Sequence, residues 1–141
     1  MPEPVSTRPL LDKLGVRPGA RVALVGVADP AFRALLAERT SSVLEGLPRA
    51  TSDLVFLAAD AGPDLAVLGR LRRAIAPDGA IWVVSAKGRS ATLRDREVIA
   101  AARAAGLVDN KVVAFSGTHT ALRLVIPVAE RPRARRLIGG K

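Results

Sequence analysis

Apolar residues are distributed along this chain in two ways, and the two alternate. Arg21 to Val27, Asp53 to Ala59 and Ala80 to Ala86 are almost continuously apolar. A strand with no polar face is buried on both sides, as in parallel sheets whose crossovers lay helices over each face. Between these runs the apolar period lengthens. Pro30 to Arg39 sets Phe32, Leu35 and Leu36 on one side and Arg33, Glu38 and Arg39 on the other, which predicts an amphipathic helix. Gly62-Pro63-Asp64 opens a second helix, in which Leu65, Leu68, Leu71 or Arg72, and Ile75 recur at spacings of three and four until Pro77-Asp78-Gly79 closes it. Thr92 followed by Asp95 resembles a capping box for a third helix to Ala105, with Gly106 suited to its C-terminal cap.

The remaining segments complete the outline. Pro2 to Thr7 has no periodicity and reads as a loose lead. Pro9, Leu10, Leu11 and Leu14 predict a short helix closed by Gly15, and Pro18-Gly19 is a turn signal. Ser42 to Leu47 predicts a short edge strand, from which Pro48 to Ser52 returns the chain to the sheet. Lys111 to Phe115 and Ala121 to Val128, separated by Ser116 to Thr120, predict an antiparallel hairpin with a five-residue loop. The order strand, helix, strand, strand, helix, strand, helix, hairpin implies a doubly wound α/β sheet, mostly parallel, with an antiparallel pair at one edge. Trp82, Phe32, Phe56 and Phe115 are expected in its core. The division is a lead over 1–9, one domain over 10–129 and a basic tail over 130–141.

Composition narrows the chemistry. At 141 residues and 49% apolar, the chain suffices for one core and has no room for a second domain. The absence of cysteine excludes disulfides, thiolate metal sites and a cysteine nucleophile. His119 is the only histidine, so a multi-histidine metal centre is excluded and no metal site is expected. Met1 to Leu11 has no apolar run after a basic start, and no later segment has the length to span a bilayer, so a cytoplasmic protein without a membrane partner is expected. Net charge is +9, but 18 of the 22 basic residues are arginine, which with the abundant alanine matches the usage of a GC-rich genome and weakens charge as a functional signal.

Three stretches carry a family resemblance: Leu14 to Val22 (LGVRPGARV), Asp53-Leu54-Val55, and Leu71 to Gly79 (LRRAIAPDG) before a strand. They resemble class I S-adenosylmethionine-dependent methyltransferases, in which the corresponding pieces are the lead to the cofactor strand, the fourth strand and the helix-turn before the fifth. The terminal hairpin resembles that family's sixth and seventh strands. The resemblance implies a reduced Rossmann-like, methyltransferase-like fold with S-adenosylmethionine as a possible cofactor. From about Leu10 to Val128 the chain more closely resembles small bacterial proteins catalogued as domain of unknown function 3052, through Leu14 to Val25, Gly79 to Lys87, Gly106 to Asp109 with Lys111-Val112, and Thr118 to Val125. That family brings no established activity, and its usual tryptophan at the position of His119 and second lysine at Gly88 are missing here.

Six places could carry function, and all but the first have a plainer reading beside them. The first is the turn Gly26-Val27-Ala28-Asp29-Pro30. A cofactor loop needs two or three closely spaced glycines to bring backbone amides onto the ligand, and here only Gly26 is present, so Gly26 and Asp29 make a degenerate cofactor site. Glu45 is the nearest candidate to hold ribose hydroxyls, or else an exposed edge-strand glutamate. Asp60, past the second buried strand, lies where open α/β folds bind ligands, or is a turn or helix-capping carboxylate. Lys87-Gly88-Arg89-Ser90 combines cations, a glycine and a hydroxyl ahead of a helix and could hold an anion, or is a solvated loop. His119 at the hairpin tip could act as a general base, or is an exposed loop histidine.

The tail residues Arg131, Arg133, Arg135 and Arg136 with Lys141 give the last eleven positions a charge of +5. They would make nucleic-acid binding salt-dependent, or form a disordered solubilising tail. No catalytic group is assembled. The leading expectation is a non-catalytic binding or interaction module with no expected cofactor and a protein or nucleic-acid partner. The alternatives are a methyltransferase with an atypical loop and a nucleic-acid binder acting through the tail.

Overall fold

A computed structural model describes residues 9–131. Its elements are α1 (Leu10–Lys13), β1 (Val22–Val25), α2 (Pro30–Arg39), β2 (Val43–Glu45), β3 (Ser52–Ala58), α3 (Leu68–Arg72), β4 (Ile75–Ala86), α4 (Asp95–Ala104), β5 (Val108–Ala114) and β6 (His119–Val125). They form one six-stranded sheet in the order β2-β1-β3-β4-β6-β5. The first four strands pair parallel. β6 runs antiparallel to both neighbours and lies between β4 and β5, so the antiparallel pair closes one edge as expected.

The apolar runs become the central strands, and their alternate side chains fill two layers. Leu11 and Leu14 around α1 and Phe32 and Leu36 of α2 cover Leu24, Phe56 and Trp82 on one face. Phe32 meets Phe56 edge-on with ring centroids 5.0 Å apart and Phe115 in a tilted contact at 4.7 Å. Trp82 is wholly buried, and its indole nitrogen donates to the Leu14 carbonyl at 3.1 Å, which ties the lead to the middle of the sheet. On the other face Leu68 and Leu71 of α3 and Val98 and Ala102 of α4 cover Val55, Ile81 and Val83. The stripe on α2 is narrower than its spacing suggests. Leu35 is 39% exposed, because one ten-residue helix meets the sheet only along Phe32 and Leu36.

Three predicted elements shift. The helix expected from Gly62 to Ile75 is a 3-10 turn over Gly62–Val67 followed by the five-residue α3, and Ile75 already belongs to β4. Ile75 pairs with Ser52, Pro77 to Gly79 bulge out, and pairing resumes at Ala80 with Leu54. Proline cannot donate to a ladder, so the turn signal marks a bulge inside a strand. A Cβ on Gly79 would fall 2.7 Å from the Asp53 carbonyl, and only glycine permits that approach. The capping box also moves. α4 starts at Asp95 with Arg94 as its N-cap, whose amide donates to Glu97 at 2.8 Å, while the Thr92 hydroxyl donates to the Asp60 carbonyl at 2.5 Å. The hairpin is earlier than predicted: β5 begins at Val108 and β6 ends at Val125, ahead of Pro127, leaving Phe115 to Thr118 as the connection.

Candidate functional site

From β1 the chain turns outward through α2 to β2, whereas β3 leads the other way to β4. The carboxyl ends of β1 and β3 therefore part, and the crevice they leave is where open α/β sheets bind ligands. A cavity of about 400 Å³ occupies it, lined by Gly26, Asp29, Ala58, Asp60, Val84 and His119 among others. That is the size range of small-molecule sites. Candidates well separated in the sequence share this one cavity.

The turn between β1 and α2 forms one wall. Gly26 has φ +79°, a left-handed conformation that its missing Cβ allows, so the single glycine of the turn does what such a glycine does in a cofactor loop. The rest of the turn is committed to starting the helix. The Asp29 carboxylate accepts from the Phe32 amide at 3.1 Å, and its carbonyl accepts from the Arg33 amide at 3.0 Å. Pro30, first in the helix, has no amide to give. Asp29 is thus an N-cap, and few donors of this first turn remain for a ligand.

Across the cavity the expected capping role passes from Asp60 to a neighbour. The Asp64 carboxylate accepts from the amides of Asp60 and Ala61 at 2.9 and 3.1 Å. The Asp60 backbone is held at both ends, by Asp64 and by Thr92, while its exposed carboxylate has no hydrogen-bond or ion-pair partner among the described residues. His119 is half-buried rather than exposed, because it opens β6 and pairs with Ala86 at the end of β4. Its Nδ1 lies 2.8 Å from the Thr118 hydroxyl, and its amide donates to Ser116 at 3.1 Å. With Nδ1 engaged, Nε2 is the ring nitrogen left for a ligand. Nothing in the spacing of Gly26, Asp60 and His119 signals their meeting; it follows from the pairing of β6 with β4.

Glu45 ends β2 beside this wall and pairs with Arg33 of α2. The two line a shallower groove of about 630 Å³ with Val27, Ala28, Asp29 and Pro30. Lys87 to Ser90 follow β4 on the same edge, and Lys87, Gly88 and Arg89 do not line the main cavity. Gly88 has φ +69° and opens a 3-10 turn, and α4 begins only at Asp95, so this loop does not sit on the α4 N-terminus as expected. Lys87 and Arg89 are exposed. Arg131 folds back, its Nε donating to the Ile126 carbonyl at 2.9 Å. Arg133, Arg135, Arg136 and Lys141 lie outside the described residues. Among the described residues no three metal-ligating side chains come together, and no helix is long and apolar enough to cross a membrane.

No protein-family model matches the chain, and no curated protein matches it. Solved structures do. A S-adenosylmethionine-dependent methyltransferase from Aquifex aeolicus superposes with TM-score 0.65 at 16% identity, over 83% of this chain and 88% of that one. Magnesium protoporphyrin IX methyltransferase from Synechocystis, with S-adenosylmethionine bound, gives 0.62 at 13% identity over 83% and 74%. A TehB-like S-adenosylmethionine-dependent methyltransferase from Corynebacterium glutamicum gives 0.54 at 14% identity over 83% and 85%. The chain has the Rossmann-like fold of the class I methyltransferases. At these identities the likeness is one of fold.

Proposed function

We propose that this chain is a non-catalytic binding module on the methyltransferase fold, which holds a small ligand in the cleft between Gly26, Asp60 and His119. One observation carries the reading: the first turn of α2 commits its Phe32 and Arg33 amides to Asp29 and has no amide at Pro30. The turn therefore lacks the cradle that a sulfonium nucleoside cofactor needs at this place. The neighbouring acid that would receive ribose hydroxyls, Glu45, is engaged by Arg33. The residues present do not fit that cofactor. What they fit is a ligand with a donor or cationic end for Asp60 and a hydrogen-bonding group for His119 Nε2.

A second reading, a methyltransferase with an atypical loop, is favoured by the fold and by the cavity that Asp60 and His119 share at the carboxyl edge. Calorimetry separates the two. The expected result is no saturable heat with S-adenosylmethionine or S-adenosylhomocysteine, and no methyl transfer from labelled cofactor to a host lysate. Saturable cofactor binding that weakens in Asp60→Asn would overturn the proposal in favour of the second reading.

A further inference from the structure

The opposite edge of the sheet holds a cavity of about 410 Å³, lined by Gly15, Arg17, Asp53, Asp78, Gly79 and Arg123 among others. Arg123 of β6 is half-buried there, and its one side-chain hydrogen bond among the described residues is a long contact to Asn110 Oδ1 at 3.3 Å. Directly across the ladder stands Lys111, on the same face of the sheet. Like charges opposed in this way repel. The Lys111 ammonium reaches the Lys13 carbonyl at 3.0 Å, and Arg131 bonds the Ile126 carbonyl. Among the described residues, none of Arg17, Lys111, Arg123 and Arg131 comes within ion-pair distance of a carboxylate. Burial, and then the charge of Arg131, push the Arg123 guanidinium below its ordinary range.

Removing a cation part-way from water without a counter-charge is unfavourable, and a like charge nearby makes it more so. Two carboxylates, Asp53 and Asp78, also line the cavity, but neither forms an ion pair with Arg17 or Arg123. Asp53 is held by Arg21, whose Nη2 and Nε lie 3.0 and 3.3 Å from its two oxygens, and Asp78 forms no ion pair among the described residues. An anion of charge near −2, presenting several acceptor oxygens to guanidinium forks, would remove the conflict. The cavity has room for more than a bare phosphate.

We propose that this cavity binds the phosphate group of a small phosphorylated molecule, with Arg123 as its floor and Arg17 closing over it from the Gly15 to Gly19 loop. The site is independent of the carboxyl-edge cleft and stands or falls separately from it. The test uses the full chain, with inorganic phosphate as probe against sodium chloride at matched ionic strength, read by thermal unfolding and calorimetry. Phosphate is expected to bind saturably and to raise the unfolding midpoint beyond chloride. Arg123→Gln should abolish that rise while leaving the phosphate-free midpoint unchanged or higher, since the repulsion is relieved. Arg17→Gln, in an exposed loop, should weaken phosphate binding about tenfold without altering the fold. No phosphate effect in the wild type, an equal effect in both variants, or a lower phosphate-free midpoint in Arg123→Gln would overturn the proposal. So would binding of a short single-stranded oligonucleotide that depends on Arg123 in the absence of any phosphate binding, which would assign the surface to nucleic acid.

Discussion

Trp82→Phe isolates the contact that ties the N-terminal lead to the sheet. The indole is wholly buried on the α1 and α2 face, and its nitrogen donates to the Leu14 carbonyl at 3.1 Å. Phenylalanine keeps an aromatic ring in the layer but leaves that buried carbonyl without its donor, at a cost of about 1–3 kcal/mol. The smaller ring leaves a void of roughly 40 Å³, which at about 24 cal/mol per Å³ adds about 1 kcal/mol. A destabilisation of about 2–4 kcal/mol follows, or roughly 10 °C in Tm for a domain of this size. Trp82 is the only tryptophan, so urea unfolding is followed by far-ultraviolet circular dichroism rather than fluorescence. Ile81→Val is the control. Ile81 is equally buried one position earlier, and its shortening should cost about 1 kcal/mol with no hydrogen bond lost. If Trp82→Phe proves no worse than Ile81→Val at equal m-value, the hydrogen bond to Leu14 contributes nothing and the reasoning fails.

Two further perturbations address the turn and the amino edge. Asp29→Ala removes the cap on the Phe32 amide and should lower stability by about 1 kcal/mol in chemical denaturation, with Asp29→Ser recovering most of the loss. An unchanged midpoint in the alanine variant would mean that Asp29 is not acting as a cap. Asp53 is held below the usual carboxylate range chiefly by the Arg21 side-chain hydrogen bonds. Its stabilising effect is therefore complete at neutral pH and disappears as pH falls below about 4 and through the native value. Both partners are substantially exposed, at 54% and 40%, so Asp53→Asn should cost less than about 1 kcal/mol at neutral pH. The gap between wild type and variant should close on acidification, and a constant gap down to about pH 2.5 would contradict this account.

The sequence by itself determined the kind of sheet and most of its contents. Arg21 to Val27, Asp53 to Ala59 and Ala80 to Ala86 have no polar face, so they had to be interior strands, and doubly covered strands require helices on both sides. Pro30 as the first residue of α2, Trp82 in the core and the antiparallel closing pair follow from local chemistry in the same way. Tertiary structure decided what depends on partners remote in the chain. Ile75 reads as the last turn of a helix because its spacing from Leu71 is helical, but pairing with Ser52 draws it into β4. Thr92 has the spacing of a cap, yet its hydroxyl is taken by the Asp60 carbonyl. Gly26, Asp60 and His119 became one cavity, and Arg123 came to stand opposite Lys111, because β6 enters the sheet between β4 and β5. Periodicity reports which side of an element is buried, while strand order determines which residues meet there, and order is set by long-range pairing that no local window contains.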